Sequence, residues 1–423
     1  MKQYESYKDS GIEWLGRIPS HWTPIAMKFY FYMKGRIGWQ GLKADEFIEE
    51  GPYLVTGTDF ENGKVIWERC YHISEERYNE APEIYVEKGD LLITKDGTVG
   101  KLAFIDEKPE KVSLNSHLLI LRPVKPNMDN HFIYWALQAE NFVYYTGLAQ
   151  NGSIMASLSQ EKIGDYKIAL PSIAEQQAIA SFLNHRVGLV DAAIAEKEQM
   201  LEDLKAYRSA IISEVVTKGL GKNVEMKDSD IDRFPMIPSN WKTSKLKYIA
   251  SIRSGSALSI DQIKEDALYE VYGGNGCIGK TDVYNAESPA IIIGRVGALC
   301  GNVHLIKTNK WVTDNALILN IKRDITYDYI YFYLSTYNLN TLNSSNAQPL
   351  ITGTKVLDVV VPIPSFNEQI MIASYLYDKI SKIDETIEQV GSQIDDFKSY
   401  KSALITEAVT GKVDLRDWKS NSN

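Results

Sequence analysis

Cysteine, histidine, long apolar runs and excess positive charge are all scarce in this chain of 423 residues. Its three cysteines, Cys70, Cys277 and Cys300, are scattered and odd in number, which argues against a disulfide framework and for reduced thiols. The six histidines (21, 72, 117, 131, 185, 304) show no ligand spacing with them, so no metal site is expected. The longest apolar runs, such as Ala290-Ile-Ile-Ile293, fall far short of the roughly 20 residues that span a bilayer. The start, Met1-Lys-Gln-Tyr-Glu5, carries no hydrophobic signal segment, and a cytoplasmic protein is expected. The net charge is −9, against a general polyanion binder. Only residues 236–362 are net positive, with 12 basic and 10 acidic side chains. Any nucleic-acid contact must therefore use local patches or share the work with a partner.

Catalytic signatures are missing as well. A methyltransferase needs a Gly-rich cofactor loop after its first strand and an Asn/Asp-Pro-Pro-aromatic tetrad, and neither occurs. Gly97-Thr-Val-Gly-Lys101 lacks the spacing that wraps phosphates, and Gly294-Arg-Val-Gly297 is no dinucleotide fingerprint. Both read as turns leaving a strand. No nucleophile-elbow motif is present. The chain reads as having no active site of its own.

What it does have is an internal repeat, the feature to seek first. Lys8-Asp-Ser-Gly-Ile-Glu-Trp-Leu-Gly-Arg-Ile-Pro-Ser-His-Trp22 matches Lys227-Asp-Ser-Asp-Ile-Asp-Arg-Phe-Pro-Met-Ile-Pro-Ser-Asn-Trp241 at an offset of 219. Pro171-Ser-Ile-Ala-Glu-Gln176 matches Pro364-Ser-Phe-Asn-Glu-Gln369 at an offset of 193, which holds without a gap to Thr217 and Thr410 with 19 of 47 positions identical. Between these blocks Leu91–Gly97 matches Ile291–Gly297 at an offset of 200, and Asn115 is set against Asn315. A period near 200 residues is a duplicated domain plus connector rather than a solenoid.

The variable blocks read as short strands bounded by Gly, Asp and Asn, with aromatic-rich helices at His131–Ala136 and Tyr329–Leu334. The long blocks read as helices: each starts after a proline with Ser at the N-cap and Glu at N3, a capping box. Ile383, Ile387, Val390, Ile394, Phe397, Lys401, Leu404 and Ala408 step in heptad fashion, and the first copy follows with Val190, Ile194, Leu201, Leu204, Ile211 and Val215. Gly188 and Gly391 are expected as possible interruptions. The expected fold class is α+β (mixed α/β): two globular domains separated by a long antiparallel two-helix coiled coil, with a pseudo-two-fold repeat. The expected boundaries are 1–170, 171–220, 221–362 and 363–423. Candidate DNA contacts are Lys95 and Arg295, in equivalent places before a Gly turn, Gly274 and Asn275 in Tyr272-Gly-Gly-Asn-Gly276, and Gln348.

The Tyr7–Trp22 segment, the two Pro-Ser-x-x-Glu-Gln helix starts and the two divergent domains resemble the specificity subunit of type I restriction-modification systems, over nearly the whole chain. The resemblance implies two target recognition domains, each reading one half of a split DNA sequence. It also implies helical regions that set the distance between half-sites and dock two methyltransferase subunits, with restriction subunits completing the nuclease. S-adenosylmethionine, ATP and Mg belong to those partners, and none is bound by this subunit. The divergence of the two domains implies an asymmetric target. One departure stands out: Arg233-Phe-Pro235 replaces Trp14-Leu-Gly16 in the second N-terminal motif. An adapter of another phage-defence complex and a self-contained DNA-modifying enzyme are the competing readings.

Overall fold

The structure is a computed structural model that describes residues 2–36, 42, 44–147, 157–297, 299–322, 324–343 and 349–419. It is a mixed α/β chain that divides into two compact units, residues 1–197 with 393–423, and residues 198–392.

In the first unit a hairpin of Tyr7–Asp9 and Arg17–Pro19 precedes a strand, Thr23–Ala26, that pairs antiparallel with Lys167–Leu170. The described residues between these last two strands form the variable domain. Its larger sheet has the order Leu102–Phe104, Leu91–Thr94, Leu118–Pro123, Phe31–Lys34, all antiparallel. Both faces are covered. Leu91, Ile93, Leu119 and Leu121 pack with Phe132, Ile133 and the long-helix residues Ile179 and Leu183. Leu92, Leu118 and Ile120 pack with Val55, Val112 and Leu114 of a smaller sheet. Burial on both sides explains why Leu91–Ile93 and Leu118–Leu121 read as unbroken apolar runs rather than alternating ones.

The second unit repeats the plan. Met226–Asp228 pairs with Met236–Pro238, and Lys242–Lys245 with Val360–Ile363. The four-stranded sheet runs Val303–Ile306, Ala290–Gly294, Ala316–Ile321, Ala250–Ser254, the same order in equivalent strands. Asp230 takes a left-handed backbone, φ 56°, where the first hairpin has Gly11 at φ 68°. The altered motif thus keeps its hairpin. What it loses is Trp14, which in the first unit lies against Tyr145 with centroids 4.6 Å apart and donates its indole N–H to the Lys167 carbonyl.

The duplicated motifs meet each other inside each unit. Ser172 and Glu175 form the capping box of the first long helix, Ile173–Lys218. Glu175 also accepts from the indole of buried Trp22 at 3.3 Å and contacts His21 Nε2 at 2.8 Å. In the second unit Glu368 accepts from Trp241 at 3.0 Å. The glutamines next in sequence are fully buried. Gln176 accepts from the Asp129 N–H and donates to the carbonyls of Asn127 and Pro171. Gln369 accepts from the Thr326 N–H and donates to the Pro364 carbonyl. Asp129 and Thr326 are the N-caps of the aromatic helices Asn130–Ala136 and Tyr327–Thr336. Each Glu-Gln pair therefore binds its helix start to the Trp before the domain and to the helix that closes it.

The second long helix is Phe366–Val409. Neither helix breaks at glycine: Gly188 and Gly391 are helical, with open space where a Cβ would sit. A helical glycine costs only about 1 kcal/mol, too little to end a helix anchored by packing. In the first unit Lys401 Nζ pairs with Asp191 at 2.6 Å; in the second, Arg208 Nε pairs with Asp384 at 2.7 Å. These are equivalent residues under the offset of 193. Of the heptad positions, Val190, Ile194, Val215, Ile383, Val390, Ile394, Leu404 and Ala408 are buried, whereas Leu201, Leu204, Ile211, Ile387 and Phe397 are only partly covered. No helix among the described residues is long and apolar enough to cross a membrane.

Candidate nucleic-acid interface

Lys95 and Arg295 leave one end of each four-stranded sheet, and in the second unit the Gly274-Asn275 turn, which joins Tyr269–Gly273 to Gly276–Thr281 of a smaller sheet, lies against that end. In the first unit the strand Leu91–Thr94 runs out into a loop. The Lys95 N–H donates to the His117 carbonyl, and the loop closes when the Thr94 N–H donates to the Lys101 carbonyl at 2.9 Å and the Gly100 N–H to the Thr94 carbonyl at 2.9 Å. The second unit builds the same loop from Arg295 N–H to the Asn315 carbonyl, Gly294 N–H to the Asn302 carbonyl at 2.9 Å, and Gly301 N–H to the Gly294 carbonyl at 2.8 Å. Gly97 and Gly297 take left-handed conformations, φ 74° and 84°, as turns that leave a strand. Lys95 is thus equivalent to Arg295, and Lys101 to Asn302.

The hydrogen bonds correct one sequence match. Asn115 N–H donates to the Val55 carbonyl, and the group in the same role is Thr313 N–H, which donates to the Tyr272 carbonyl. Thr313, not Asn315, stands at the place of Asn115. Unequal loops shift the offset from 200 at Lys95 and Arg295 to 201 at Lys101 and Asn302 and to 198 at Asn115 and Thr313. The same bonds equate Val55 with Tyr272, so Thr56-Gly57-Thr58-Asp59 is the counterpart of Gly273-Gly274-Asn275-Gly276.

Both turns press on the strand end. A Cβ on Gly57 would lie 2.8 Å from Thr94 Cγ2, and one on Gly274 would lie 3.0 Å from the Asn315 carbonyl oxygen. Glycine is favoured there by close approach rather than by φ. The structure thus brings Gly274, Asn275 and Arg295 together in the second unit and places Lys95 equivalently in the first. Gln348 lies outside the described residues; its neighbour Pro349 accepts from the Gly297 N–H at 3.2 Å.

The side chains here keep hydrogen-bonding capacity. Some cations elsewhere in the first domain are paired, Arg69 with Glu61, Lys111 with Glu75, and Arg122 with Asp90 and Glu87, while others, such as Lys64 and Lys88, have no ion pair among the described residues. The amino groups of Lys95 and Lys101 have no partner among the described residues. Arg295 Nη1 donates to Ser254 Oγ at 3.3 Å, while its Nε is buried without a partner. Asn302 Nδ2 donates to Asn275 Oδ1 at 2.7 Å. His304 packs its ring against Tyr272, and burial pushes its imidazole below the usual histidine range, so it is neutral near pH 7. Among the described residues no cluster of His, Cys, Asp and Glu could hold a metal ion.

Sequence reasoning missed Thr58, Lys101 and Asn302. Lys101 sat inside a segment rejected as a phosphate loop. Asn302 has no local signal, because its meaning comes from Asn275, 27 residues away.

Comparison with known proteins gives this architecture its relatives. The family described as the type I restriction modification DNA specificity domain matches twice, over residues 39–202 and 238–394. The putative type I restriction enzyme MjaX specificity subunit of Methanocaldococcus jannaschii is 23% identical, with 97% of each chain covered. The EcoprrI specificity subunit of Escherichia coli is 32% identical over 35% of this chain and 38% of its own. Among solved structures, one from work on complex assembly and conformational transition of a type I R-M system superposes with a TM-score of 0.73 at 13% identity, covering 94% of this chain and 99% of that one. The HsdS subunit from Thermoanaerobacter tengcongensis gives a TM-score of 0.51 at 13% identity, covering 94% and 98%. Matched twice by the family, once for each half of its internal repeat, this chain belongs to the type I restriction-modification DNA specificity family.

Proposed function

We propose that each variable domain reads one half of a split, asymmetric DNA target through the loop-and-turn end of its four-stranded sheet. As a type I specificity subunit the chain recognises DNA sequence and is not itself the catalyst; two methyltransferase subunits dock on it, and restriction subunits join them. The observation that carries the two-half reading is the closed duplication. Each domain hangs from its own antiparallel pair of strands, Thr23–Ala26 with Lys167–Leu170 and Lys242–Lys245 with Val360–Ile363, and its own Trp–Glu hydrogen bond. Asymmetry follows from the different side chains at equivalent places. The recognition domains fall within residues 1–170 and 221–362, and the helical regions within 171–220 and 363–423. The cell compartment is the cytoplasm, where these partners and their DNA meet.

In this reading the two long helices run antiparallel as a coiled coil and set the distance between half-sites. The equivalent ion pairs Lys401–Asp191 and Arg208–Asp384 support it, since a single antiparallel register places both. The test is an exchange of residues 20–170 for another recognition domain, followed by mapping of methylated sites. One half of the target should change and the other stay. A swap that altered both halves together would contradict the assignment.

A further inference from the structure

Lys101 and Asn302 occupy one position in two domains, and their chemistry differs. In each domain the carbonyl of this residue accepts the N–H of the last residue of the strand, Thr94 or Gly294, at 2.9 Å. Each residue emerges where the loop returns to the strand end, beside Lys95 or Arg295. The backbone of the position is therefore held alike while its side chain is free to vary.

What each side chain offers is distinct. The Lys101 ammonium has three donors, no acceptor and no partner among the described residues. Thr58, at the place of Asn275, gives it no amide to pair with. The Asn302 and Asn275 amides are bonded to each other at 2.7 Å. Whichever amide of the pair donates, one keeps a free NH2 and the other a free oxygen lone pair. A donor and an acceptor thus stand side by side, their orientations coupled, with Asn275 exposed.

Major-groove edges discriminate between these patterns. Adenine presents the N7 acceptor next to the N6 donor, which a paired donor and acceptor match. Guanine presents two acceptors, N7 and O6, which a lysine matches and an amide oxygen repels.

We propose that position 101/302 is a specificity-determining residue of this family member: Lys101 selects a guanine in one half-site, and the Asn302–Asn275 pair selects an adenine in the other. The assignment rests on the reading of the two domains given above.

The test uses the full chain assembled with its methyltransferase subunits and duplex libraries in which one half-site at a time is randomised. Asn302→Lys should turn one A·T preference in the second half-site into G·C, and Lys101→Asn should relax one G·C preference in the first. Each should change the ratio at a single base pair by roughly five- to a hundredfold, with the other half-site untouched. Asn275→Ala and Asn302→Ala should relax the same base pair, and the double variant should do no more than either. Variants that melt like the wild type and keep its preference at every base pair would overturn the proposal. So would variants that weaken all sequences alike with a shallower salt dependence, the mark of a phosphate contact. A wild-type complex that selects no sequence would overturn both this assignment and the reading beneath it.

Discussion

Gln176 and Gln369 are uncharged and fully buried, and each spends its amide on backbone groups that have no other partner among the described residues. Truncation to alanine would leave the Pro171 and Pro364 carbonyls buried without a partner and the other groups half-buried, at about 1–3 kcal/mol for each one left unpaired. Gln176→Ala should therefore lower stability by about 2–4 kcal/mol in denaturant unfolding, and Gln369→Ala by less, since fewer of its bonds are lost. Equal, negligible losses would mean that water replaces the amide. Glu175 responds to pH. Burial opposes its ionisation, but hydrogen bonds from His21, Ser172 and Trp22 outweigh burial and hold the carboxyl below its ordinary 4.5. With the folded value below the unfolded one, the ionised carboxylate stabilises the fold above about pH 4.5, and this contribution is lost as pH falls through the folded value. Glu175→Gln should flatten the acid limb of a stability–pH profile; an unchanged limb would assign acid sensitivity to other carboxylates. At the sheet ends, Lys95→Ala and Arg295→Ala should weaken DNA binding by the assembled complex. A phosphate contact lowers affinity for every sequence and reduces the salt slope by about one, whereas a guanine contact relaxes one position at a cost of about 1–3 kcal/mol. Filter binding across a salt series separates the two, and wild-type binding by both variants would exclude contact.

At the scale of elements, the long helices invite a change of length. Seven added residues keep a heptad seam in phase, whereas other lengths rotate it. One heptad inserted into both helices, near Leu201 and Ile394, adds about 10.5 Å. At about 3.4 Å per base pair the preferred spacer should grow by about three base pairs, with the half-site sequences unchanged. Targets with spacers varied one base pair at a time would show it, and an unchanged optimum in a folded variant would assign the distance to the partner subunits. The helices were legible in the sequence because their signals are local: a serine cap, a glutamate three residues on and apolar residues every third or fourth position. Gly188 misled for the same reason, since a local penalty says nothing of the packing that offsets it. The bond from Trp22 to Glu175 was not legible, because it joins residues 153 apart. The false match of Asn115 with Asn315 arose where unequal loops slid two similar segments past each other.

For the whole molecule, the family assigns sequence reading to this chain and chemistry to its partners. Purified alone and given a labelled methyl donor, it should transfer nothing; methyl transfer should appear when the cognate methyltransferase subunit is added. Transfer by the isolated chain would contradict this division of labour. The candidate contacts were legible only as residue types before a glycine. Which of them stand at one position in both domains depended on backbone hydrogen bonds between distant strands, and these brought Thr58, Lys101 and Asn302 into view.

The pairing of Thr23–Ala26 with Lys167–Leu170, and of Lys242–Lys245 with Val360–Ile363, means that the chain goes into each variable domain and comes out of it through adjacent strands. A domain attached by a two-strand doorway can be replaced whole without moving either post. Selection can then act on the two sides at different speeds. The frame is held by the Trp–Glu and Gln bonds at the threshold, while the sequence beyond it can drift or be exchanged. If methyltransferase subunits dock on the chain as proposed, a single exchange of one domain would give the assembly a new DNA target, and those subunits would follow the new address without a change of their own.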